Sequence, residues 1–363
     1  MLPEVSFIFG GISTESDSSI SSLEHIISSY LTIPDAERPF SVKHIYHLSQ
    51  EDCLVRTIKV HSALTSSDLR ACISDTGTRR GRTLICALDE IQSRKEYVVN
   101  LLHGQFGEDG GVQTLAALLG LRGTFGDPYV ASLTMNKYAM ASVVSSLLPN
   151  EVVKVPRTRL IKSRNMIDEM QIAKSLQGPI VVKPNSLGSS LFTDFFHDPA
   201  LSEADIVALL HYILEYDSSA LLQEFIPGSE YSCGCMIDSL GVTVLPVIKI
   251  ETERSFFGRN EKCSGDLVRL KIVDCGDIIS KRIKSIVSRI ATYIDIYNIA
   301  RFDFRVDDSA EIWFLECNYI PGLGKGNIFP TMLESHGMTV IDLISFLLSK
   351  SRQFKRKDHR IRY

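Results

Sequence analysis

The sequence lacks the features of an exported, membrane-embedded or nucleic-acid-binding protein. No apolar run in its 363 residues approaches the ~20 residues that span a bilayer. The opening, Leu2-Pro3-Glu4 and a short apolar run, has neither the basic segment nor the longer apolar core of a signal peptide. A formal net charge of −4 supplies no global field that would attract nucleic acid or an anionic membrane. We therefore expect neither nucleic acid nor membrane as a partner.

The eight cysteines lack the paired spacing of a zinc site, and Cys233 and Cys235 are too close together for a normal zinc pair. We expect a reduced, cytoplasmic protein whose thiols are small buried apolar groups. Its length exceeds what one hydrophobic core usually organises, which predicts two or three domains with clefts between them. Such clefts are where small substrates bind.

The first third of the chain predicts an open α/β sheet. Residues 5–9 and 97–102 are apolar runs that end at glycine or His-Gly, as buried strands do, and helical patterns follow both. Ligands of such sheets bind beyond the carboxyl ends of the strands. Glu15 and His103 both follow such ends, whereas residues 31–95 show no clear order of elements.

Strands dominate the second half of the chain, which predicts an α+β layout rather than a second doubly wound sheet. A helix is expected over residues 279–297. The strands are expected over residues 179–183, 220–226, 231–237, 243–250, 300–306 and 311–318.

The last two of these strands predict an antiparallel hairpin with one charged face. Side chains two apart in a strand share a face, so Arg301 lies beside Asp303, and Glu316 lies beside Asn318. Carboxylate and amide oxygens suit Mg²⁺, and an arginine beside them can meet phosphate or a developing oxyanion. A surface patch of ion pairs is the alternative. The opposite face, including Phe302, Phe304, Trp313, Leu315 and Cys317, is expected to face the core.

Two loops of small residues accompany this hairpin. The glycine-rich segment 321–327 follows it directly and exposes backbone N–H groups to a ligand. Residues 186–190, after Lys183, could wrap phosphates or be a flexible linker, and they are not a Walker P-loop. The basic end, residues 351–363, is expected to be a solvated tail.

Taken in order and spacing, these motifs resemble those of D-alanine–D-alanine ligases, which are ATP-grasp carboxylate–amine ligases. The resemblance covers nearly the whole chain and is weakest over residues 31–95. Its motifs are Gly10-Gly11 with Ser13-Thr14-Glu15, His103-Gly104, Phe106-Gly107-Glu108-Asp109-Gly110, Met135-Asn136-Lys137, Val182-Lys183-Pro184 with Leu187-Gly188-Ser189-Ser190, Phe225-Ile226-Pro227-Gly228-x-Glu230, Arg301-x-Asp303 and Glu316-x-Asn318-x-x-Pro321-Gly322.

The resemblance implies an ATP-grasp fold preceded by an open α/β, Rossmann-like (pre-ATP-grasp) N-terminal domain, so that the chain combines α/β and α+β parts. It implies a substrate-binding domain over residues 1–125, a central subdomain over 126–222 and a C-terminal subdomain over 223–350, with the tail at 351–363. A homodimer is the usual assembly of this family.

The resemblance also implies roles for individual residues. Glu15, Ser189, Arg301 and Gly322 would be catalytic. The magnesium or manganese ligands, for two ions, would be Asp303, Glu316 and Asn318. The residues around ATP would be Lys137, Lys183, Ser189, Ser190, Gln223, Glu224, Glu230 and Lys262. The amino-acid substrates would meet Glu15, Ser18, His103, Cys263, Asn327 and Ile328.

The implied reaction is the ATP-dependent joining of two D-alanines through an acylphosphate, which supplies a peptidoglycan precursor. Cys263, Ser18 and Asn327 depart from the usual family pattern around the amino acids. A related ligase that joins other amino acids is therefore an alternative. A nucleotide-binding protein without turnover is a second alternative, against which the retained metal and arginine positions argue.

Overall fold

The computed structural model describes residues 2–61, 64–75, 80–162, 178–252 and 268–355. The predicted ATP residue Lys262 and the predicted substrate residue Cys263 lie outside the described residues, as does the end of the tail from residue 356. Within the described ranges the chain forms three sheets, one of them largely parallel and two antiparallel. The predicted combination of α/β and α+β parts is confirmed.

The N-terminal sheet is a parallel sheet with one antiparallel edge strand. Its strands are β1 (Glu4–Gly10), β2 (Ser41–Leu48), β3 (Val55–Lys59), β4 (Tyr97–Asn100) and β5 (Arg122–Gly123). They lie in the order β3-β2-β1-β4-β5, and only β3 is antiparallel to its neighbour. The helices are α1 (Ser16–Leu31), α2 (Ser66–Ser74), α3 (Leu84–Arg94) and α4 (Gly111–Leu119).

Helices cover both faces of this sheet, which explains the continuous apolar run in β1. Phe7 and Phe9 pack in the same core as residues of α1, whereas Ile8 points to the opposite face and packs with residues of α3 and α4. The segment 31–95, which the sequence pattern left unordered, supplies two strands and two helices of this domain.

The central part of the chain forms a four-stranded antiparallel sheet with one helix on it. Residues of α7 and of the strands share a small core, which includes Val182 and Leu210. The elements are α5 (Pro128–Met135), α6 (Lys137–Leu147), β6 (Thr158–Ile161), β7 (Ile180–Pro184), β8 (Asp194–Phe196), α7 (Glu203–Tyr216) and β9 (Ala220–Glu224). The strand order is β6-β9-β7-β8.

The C-terminal sheet is antiparallel throughout and has the order β12-β11-β10-β13-β14. Helix α8 packs on one face, and α9 and α10 pack against the other face in a core shared with the N-terminal domain. The elements are β10 (Ser229–Ile237), β11 (Val242–Thr252), β12 (Val268–Ile272), α8 (Ile278–Tyr293), β13 (Ile299–Val306), β14 (Ile312–Asn318), α9 (Ile328–Ser335) and α10 (Val340–Lys350).

One expectation for the hairpin of β13 and β14 was wrong. Trp313 and Leu315 are only half-buried, and Ile312 and Phe314 face the core instead. The ladder register slips between Asp303 and Phe304, so that an extra residue is inserted into β14. Such a bulge reverses the alternation of side chains beyond it. Trp313 instead donates its Nε1 hydrogen to Asp307 Oδ2 at 2.8 Å.

The expectation of a solvated tail was wrong for residues 351–355. The backbone N–H of Gly123, on edge strand β5, donates to Gln353 Oε1 at 2.8 Å. The guanidinium of Arg352 lies 4.7 Å from the ring centre of Tyr297, and the Phe354 ring meets the same tyrosine edge-on. Contacts of Arg352, Gln353 and Phe354 therefore dock this segment across the N-terminal and C-terminal domains.

The cysteines follow the buried, apolar expectation only in part. Cys233, Cys235 and Cys317 are buried, whereas Cys53 and Cys86, like Cys275, are exposed. Burial raises the pKa of Cys235 to about 12, so this thiol is unreactive at neutral pH. No helix of the described ranges has the length and apolarity to cross a membrane.

The contact between Gly126 and Tyr319 yields a stability prediction. Gly126 has φ +71°, and a Cβ there would overlap the Tyr319 hydroxyl. Gly120 has a similar φ of +66° but no atom within 4 Å of a Cβ. Both alanine variants carry the left-handed backbone penalty of about 1 kcal/mol, and Gly126→Ala should lose roughly 1–3 kcal/mol more through overpacking.

Urea unfolding of Gly126→Ala and Gly120→Ala measures this difference, because the shared backbone term cancels. Equal losses of unfolding free energy in the two variants would contradict the tight contact at Tyr319.

Candidate functional site

A cleft with an empty volume of about 750 Å³ lies between the central and C-terminal sheets. It runs between β7 and β9 on one side and β13 and β14 on the other. The cleft brings together most residues expected around ATP and two of the expected metal ligands, namely Lys137, Lys183, Ser189, Ser190, Gln223, Glu224, Glu230, Asp303 and Glu316.

The charged face of the hairpin forms the floor of the site. Asp303 lies directly opposite Glu316 in the ladder, and Arg301 lies opposite Asn318. Arg301 donates to both oxygens of Asp303, from Nε at 3.0 Å and from Nη2 at 2.8 Å. Asn318 Nδ2 donates to Asp303 Oδ2 at 3.0 Å, and Ser232 Oγ donates to Oδ1 at 2.5 Å. The four predicted residues therefore converge, as the alternation of the two strands implied.

Asp303 is the buried centre of this group, and Arg301, Glu316 and Asn318 around it are half-buried, which distinguishes the group from the surface ion-pair patch that was its alternative. Asp303 is only 5% exposed. Burial by itself lowers the pKa of Arg301, but the charge and hydrogen bonds of Asp303 outweigh it, so the pKa lies above its ordinary value. Arg301 is therefore a permanent cation beside the carboxylates.

The residues of this face suit a magnesium ion that takes part of its coordination from a nucleotide. Within the described ranges, no group of three His, Cys, Asp or Glu side chains forms a complete metal cage. Two carboxylates and an amide are a partial donor set, and Mg²⁺ is normally bound in this way together with substrate phosphates. Asn318 uses its nitrogen on Asp303, so its amide oxygen is the atom that can ligate a cation.

Lys137 brings a second cation to the floor from the start of helix α6. Asn136 caps this helix by accepting from the Ala139 N–H at 2.9 Å, and this cap fixes where the lysine leaves the backbone. Its Nζ donates to Leu187 O at 2.7 Å and lies 3.4 Å from Glu316 Oε2. Lys137 therefore links the hairpin to the small-residue loop.

The loop after β7 is a strained and anchored structure rather than a flexible linker. Ser189, Ser190 and Phe192 all have φ near +50°, a left-handed conformation that costs a residue other than glycine of order 1 kcal/mol. At the start of the loop, the Ser186 N–H donates to Asp217 Oδ2 at 2.6 Å.

Helix α7 holds the other end of the loop. The Phe192 ring lies 4.9 Å from that of Tyr212 and 5.2 Å from that of Tyr216, centre to centre. Contacts at both ends keep the intervening backbone amides in one arrangement, which suits the binding of phosphate oxygens.

Glu15 reaches this loop from the N-terminal domain. Ser189 Oγ donates to Glu15 Oε1 at 2.7 Å. A Cβ at Gly188 would lie 2.5 Å from both carboxylate oxygens, so only glycine permits this approach. Ser13 fixes the start of the segment, because its Oγ accepts from the Glu15 N–H at 3.1 Å and donates to His103 O at 2.6 Å. Glu15 and Ser189 thus join the two domains.

A second cavity of about 360 Å³ empty volume adjoins this contact. Glu15, Lys137, Glu316 and Asn318 line it, together with Glu108. The cavity is therefore lined both by Glu15, which is predicted to bind an amino-acid substrate, and by the predicted metal ligands Glu316 and Asn318.

Glu108 was not predicted from the sequence, although its motif was recognised. It accepts from the Gly104 N–H at 2.9 Å and from the Ile320 N–H at 3.2 Å, which ties the N-terminal domain to the segment after β14. Burial, aided by the charge of Glu15, raises the pKa of Glu108 to about 8. The neighbouring His103 is neutral at pH 7, because burial lowers its pKa.

Several predicted substrate residues lie elsewhere in the described part of the chain. Ser18, Asn327 and Ile328 line neither cavity. Ser18 is half-buried in α1, and Asn327 is the exposed residue before α9. The Asn327 amide nitrogen lies beside Gly322, 3.0 Å from where a Cβ would stand. These positions stay predictions.

The cleft also contains Arg305, which was not predicted from the sequence. Arg305 follows Asp303 by two positions and therefore shares its face of β13. The same alternation that identified Arg301 could have found it. Leu315, the bulge residue, also lines the cleft and could not be found, because a one-residue bulge leaves no clear mark in the sequence.

The pKa of Glu108 generates a prediction for stability. The folded protein holds this proton up to about pH 8, whereas the unfolded chain loses it near the ordinary pKa of 4.5. The contribution of this carboxyl to the free energy of unfolding is therefore fully present below pH 4.5 and is lost as the pH rises through about 8. Glu108→Gln stays neutral and should lose less unfolding free energy between pH 6 and pH 9 than the parent protein.

Urea unfolding at the two pH values tests this prediction. The matched control is Glu334→Gln, on the exposed side of α9, which should keep the pH dependence of the parent protein. If Glu108→Gln also kept the pH dependence of the parent protein, the neutral state of the Glu108 carboxyl would be refuted.

The comparisons with known proteins point to one family. The family model described as D-ala D-ala ligase C-terminus matches residues 150–349, which is more than half of the chain. A relative from Clostridium perfringens, named D-alanine–D-alanine ligase A, is 29% identical over 267 residues, covering 72% of this chain and 82% of that protein.

Solved structures show the same fold over nearly the whole chain. The VanG D-Ala:D-Ser ligase from Enterococcus faecalis superposes with a TM-score of 0.76 at 22% identity, covering 96% of this chain and 99% of that one. The D-alanine–D-alanine ligase from Bacillus anthracis complexed with ATP superposes with a TM-score of 0.66 at 18% identity, covering 96% of both. With the family model and the matching fold, the chain belongs to the D-alanine–D-alanine ligase family.

Proposed function

We propose that this protein joins two D-alanines to D-alanyl-D-alanine with hydrolysis of ATP to ADP and phosphate, as a step in making peptidoglycan precursors. One observation carries the proposal: a single cleft combines the anchored small-residue loop, two lysines and paired carboxylates, and the second cavity, which Glu15 lines, adjoins it. The relative from Clostridium perfringens bears the name of this activity, and the Bacillus anthracis ligase was solved with ATP.

ATP would occupy the cleft with its phosphates toward Lys137 and Lys183. The backbone amides of the anchored loop and the hydroxyls of Ser189 and Ser190 would contact the phosphate oxygens. The other end, at Gln223, Glu224 and Glu230, would hold adenine and ribose. Glu224 is already oriented by the Arg157 N–H, which donates to its Oε1 at 2.8 Å.

The metal would sit on the charged face of the hairpin. Asp303, Glu316 and Asn318 would hold Mg²⁺ or Mn²⁺, as two ions. Bound there, the metal would screen the repulsion between an attacking carboxylate and the nucleotide phosphates.

The first D-alanine would bind with its ammonium group at Glu15 and its carboxylate near His103. Its carboxylate attacks the γ-phosphorus of ATP, the bond to the bridging oxygen breaks, and ADP leaves. The product is an acylphosphate. The residues of the cleft act by holding the reacting groups in place and by balancing their charge, so the step needs no nucleophile from the protein.

The amine of the second D-alanine then attacks the acyl carbon. The C–N bond forms, phosphate leaves, and the amine releases a proton. Arg301 and the backbone N–H of Gly322 would hold the negative oxygen of the tetrahedral intermediate. Because Asp303 holds the Arg301 side chain at two points, the arginine needs little reorganisation during this step.

We propose a cytoplasmic homodimer with the domain bounds given above, 1–125, 126–222 and 223–350. A reducing compartment fits the free thiols within the described ranges. Light scattering of the purified protein would test the dimer.

A screen of amino-acid pairs tests the function. D-alanine with ATP and Mg²⁺ should release ADP, and mass spectrometry should find D-alanyl-D-alanine. If ADP were released strongly only with another amino acid or hydroxy acid, that compound and not D-alanine would be the substrate. ATP binding without ADP release for any pair would establish a nucleotide-binding protein without turnover.

A matched pair of variants tests the charged face. Glu316→Gln should lower kcat at least about a hundredfold, because it removes a metal ligand. The melting temperature should stay within a few degrees, because Glu316 is only partly buried. Glu311→Gln, just before the same strand and paired with Lys154, should keep its activity. A large loss of stability with little loss of activity in Glu316→Gln would assign this residue to an ion pair instead.

A further inference from the structure

Arg305 is a buried cation at the nucleotide end of the cleft. It is 7% exposed and lines the cleft from the same face of β13 as Asp303. An arginine is costly to bury, so a buried arginine that lines the cleft points to a role beyond packing.

The side chain contacts three points of one short segment, residues 225–230. Its Nη2 donates to Gly228 O at 2.7 Å. Its guanidinium carbon lies 4.8 Å from the ring centre of Phe225. Its Nη1 lies 4.0 Å from Glu230 Oε2, and Arg305 and Glu230 face each other across the β10–β13 ladder.

This segment carries groups that can contact a nucleoside. Phe225 and Glu230 both line the cleft. Phe225 is also held from β8, because the Phe195 ring lies 4.7 Å away, centre to centre. Between them, Gly228 has φ +114°, and a Cβ there would overlap the Val306 carbonyl, so the turn lies directly against β13. Arg305 therefore anchors the turn by a hydrogen bond, lies over the aromatic ring and attracts the carboxylate by its charge.

An oriented Glu230 carboxylate could recognise the hydroxyls of a ribose. A carboxylate presents two acceptor oxygens, and the 2′ and 3′ hydroxyls of a ribose present two adjacent donors. Recognition of a hydroxyl is selective only if the acceptor is held in position, because an analogue that lacks the hydroxyl then leaves it unpaired. A charge that is shielded from water orients the carboxylate more strongly than an exposed one would.

We propose that Arg305 is a positioning residue for nucleotide recognition, which holds Glu230 to accept from the ribose hydroxyls and holds Phe225 against the base. The proposal rests on the proposed function, because it takes ATP as the occupant of the cleft. The protein should therefore prefer ATP to 2′-deoxy-ATP, and this preference should depend on Arg305.

The test compares KM for ATP and for 2′-deoxy-ATP in D-alanine-dependent ADP release. Arg305→Met keeps the length of the side chain without the charge. It should raise KM for ATP about tenfold, because Glu230 would lose the neighbouring charge that orients it, and bring the two KM values closer together. KM for D-alanine at saturating ATP should not change. Arg305→Lys, which keeps the charge but lacks the forked donors, should fall between.

The matched control is Arg56→Met in the N-terminal sheet. Arg56 is 3% exposed and pairs with Asp52, whose Oδ2 lies 2.5 Å from its Nη2. The control should lose stability as any buried arginine variant does, and keep the parental ratio of the two KM values. A double variant, Arg305→Met with Glu230→Gln, should lose no more preference for ATP than either change alone.

An unchanged KM ratio in Arg305→Met would overturn the proposal and assign Arg305 to packing alone. If that variant does not fold, Arg305→Lys decides in its place, and an unchanged ratio there has the same meaning. Absence of ATP binding to the parent protein would instead overturn the proposed function, so the two failures are distinguishable.

Discussion

The buried contact between Arg301 and Asp303 is the interaction on which the arrangement of the site depends. The β13–β14 hairpin has an aromatic core on one face and charges on the other, and a single buried charge there would cost several kcal/mol. The bidentate contact, with donors from Ser232 and Asn318, satisfies the carboxylate and keeps it in place. Lys137 then balances Glu316, so anionic ligands can meet a floor whose charges are already ordered.

The strained loop after β7 is likewise held in one conformation before any ligand binds. Three residues other than glycine keep a left-handed backbone conformation there, because the contacts at both ends of the loop stabilise it. Asp217, directly after α7, holds the start of the loop, and the ring of Tyr212, near the end of α7, holds the other end. Backbone strain at a ligand site is thereby supported by ordinary packing on a helix outside the cleft.

The sequence predicts the fold where patterns are periodic and the site where chemistry is local. The α/β start follows from apolar runs that end at glycine, the α+β second half follows from its many strand patterns, the hairpin with Arg301 and Asp303 follows from side-chain alternation, and the motifs identify the family. The sequence did not reveal the faces of Trp313 and Leu315, because one inserted residue reverses the alternation without a compositional signal. Long-range contacts are equally hidden: the bond from the Ile320 N–H to Glu108 joins positions far apart in the chain.

The docked segment 351–355 has a consequence for how the chain folds during synthesis. The Gly123 N–H of edge strand β5 donates to Gln353, so during synthesis this N–H lacks that acceptor until more than two hundred further residues have been added. The N-terminal sheet can form early, but this contact at its β5 edge forms only after Gln353 has left the ribosome. Until then the Gly123 N–H is open to another partner, so a nascent molecule exposes an edge that the docked segment covers in the folded protein.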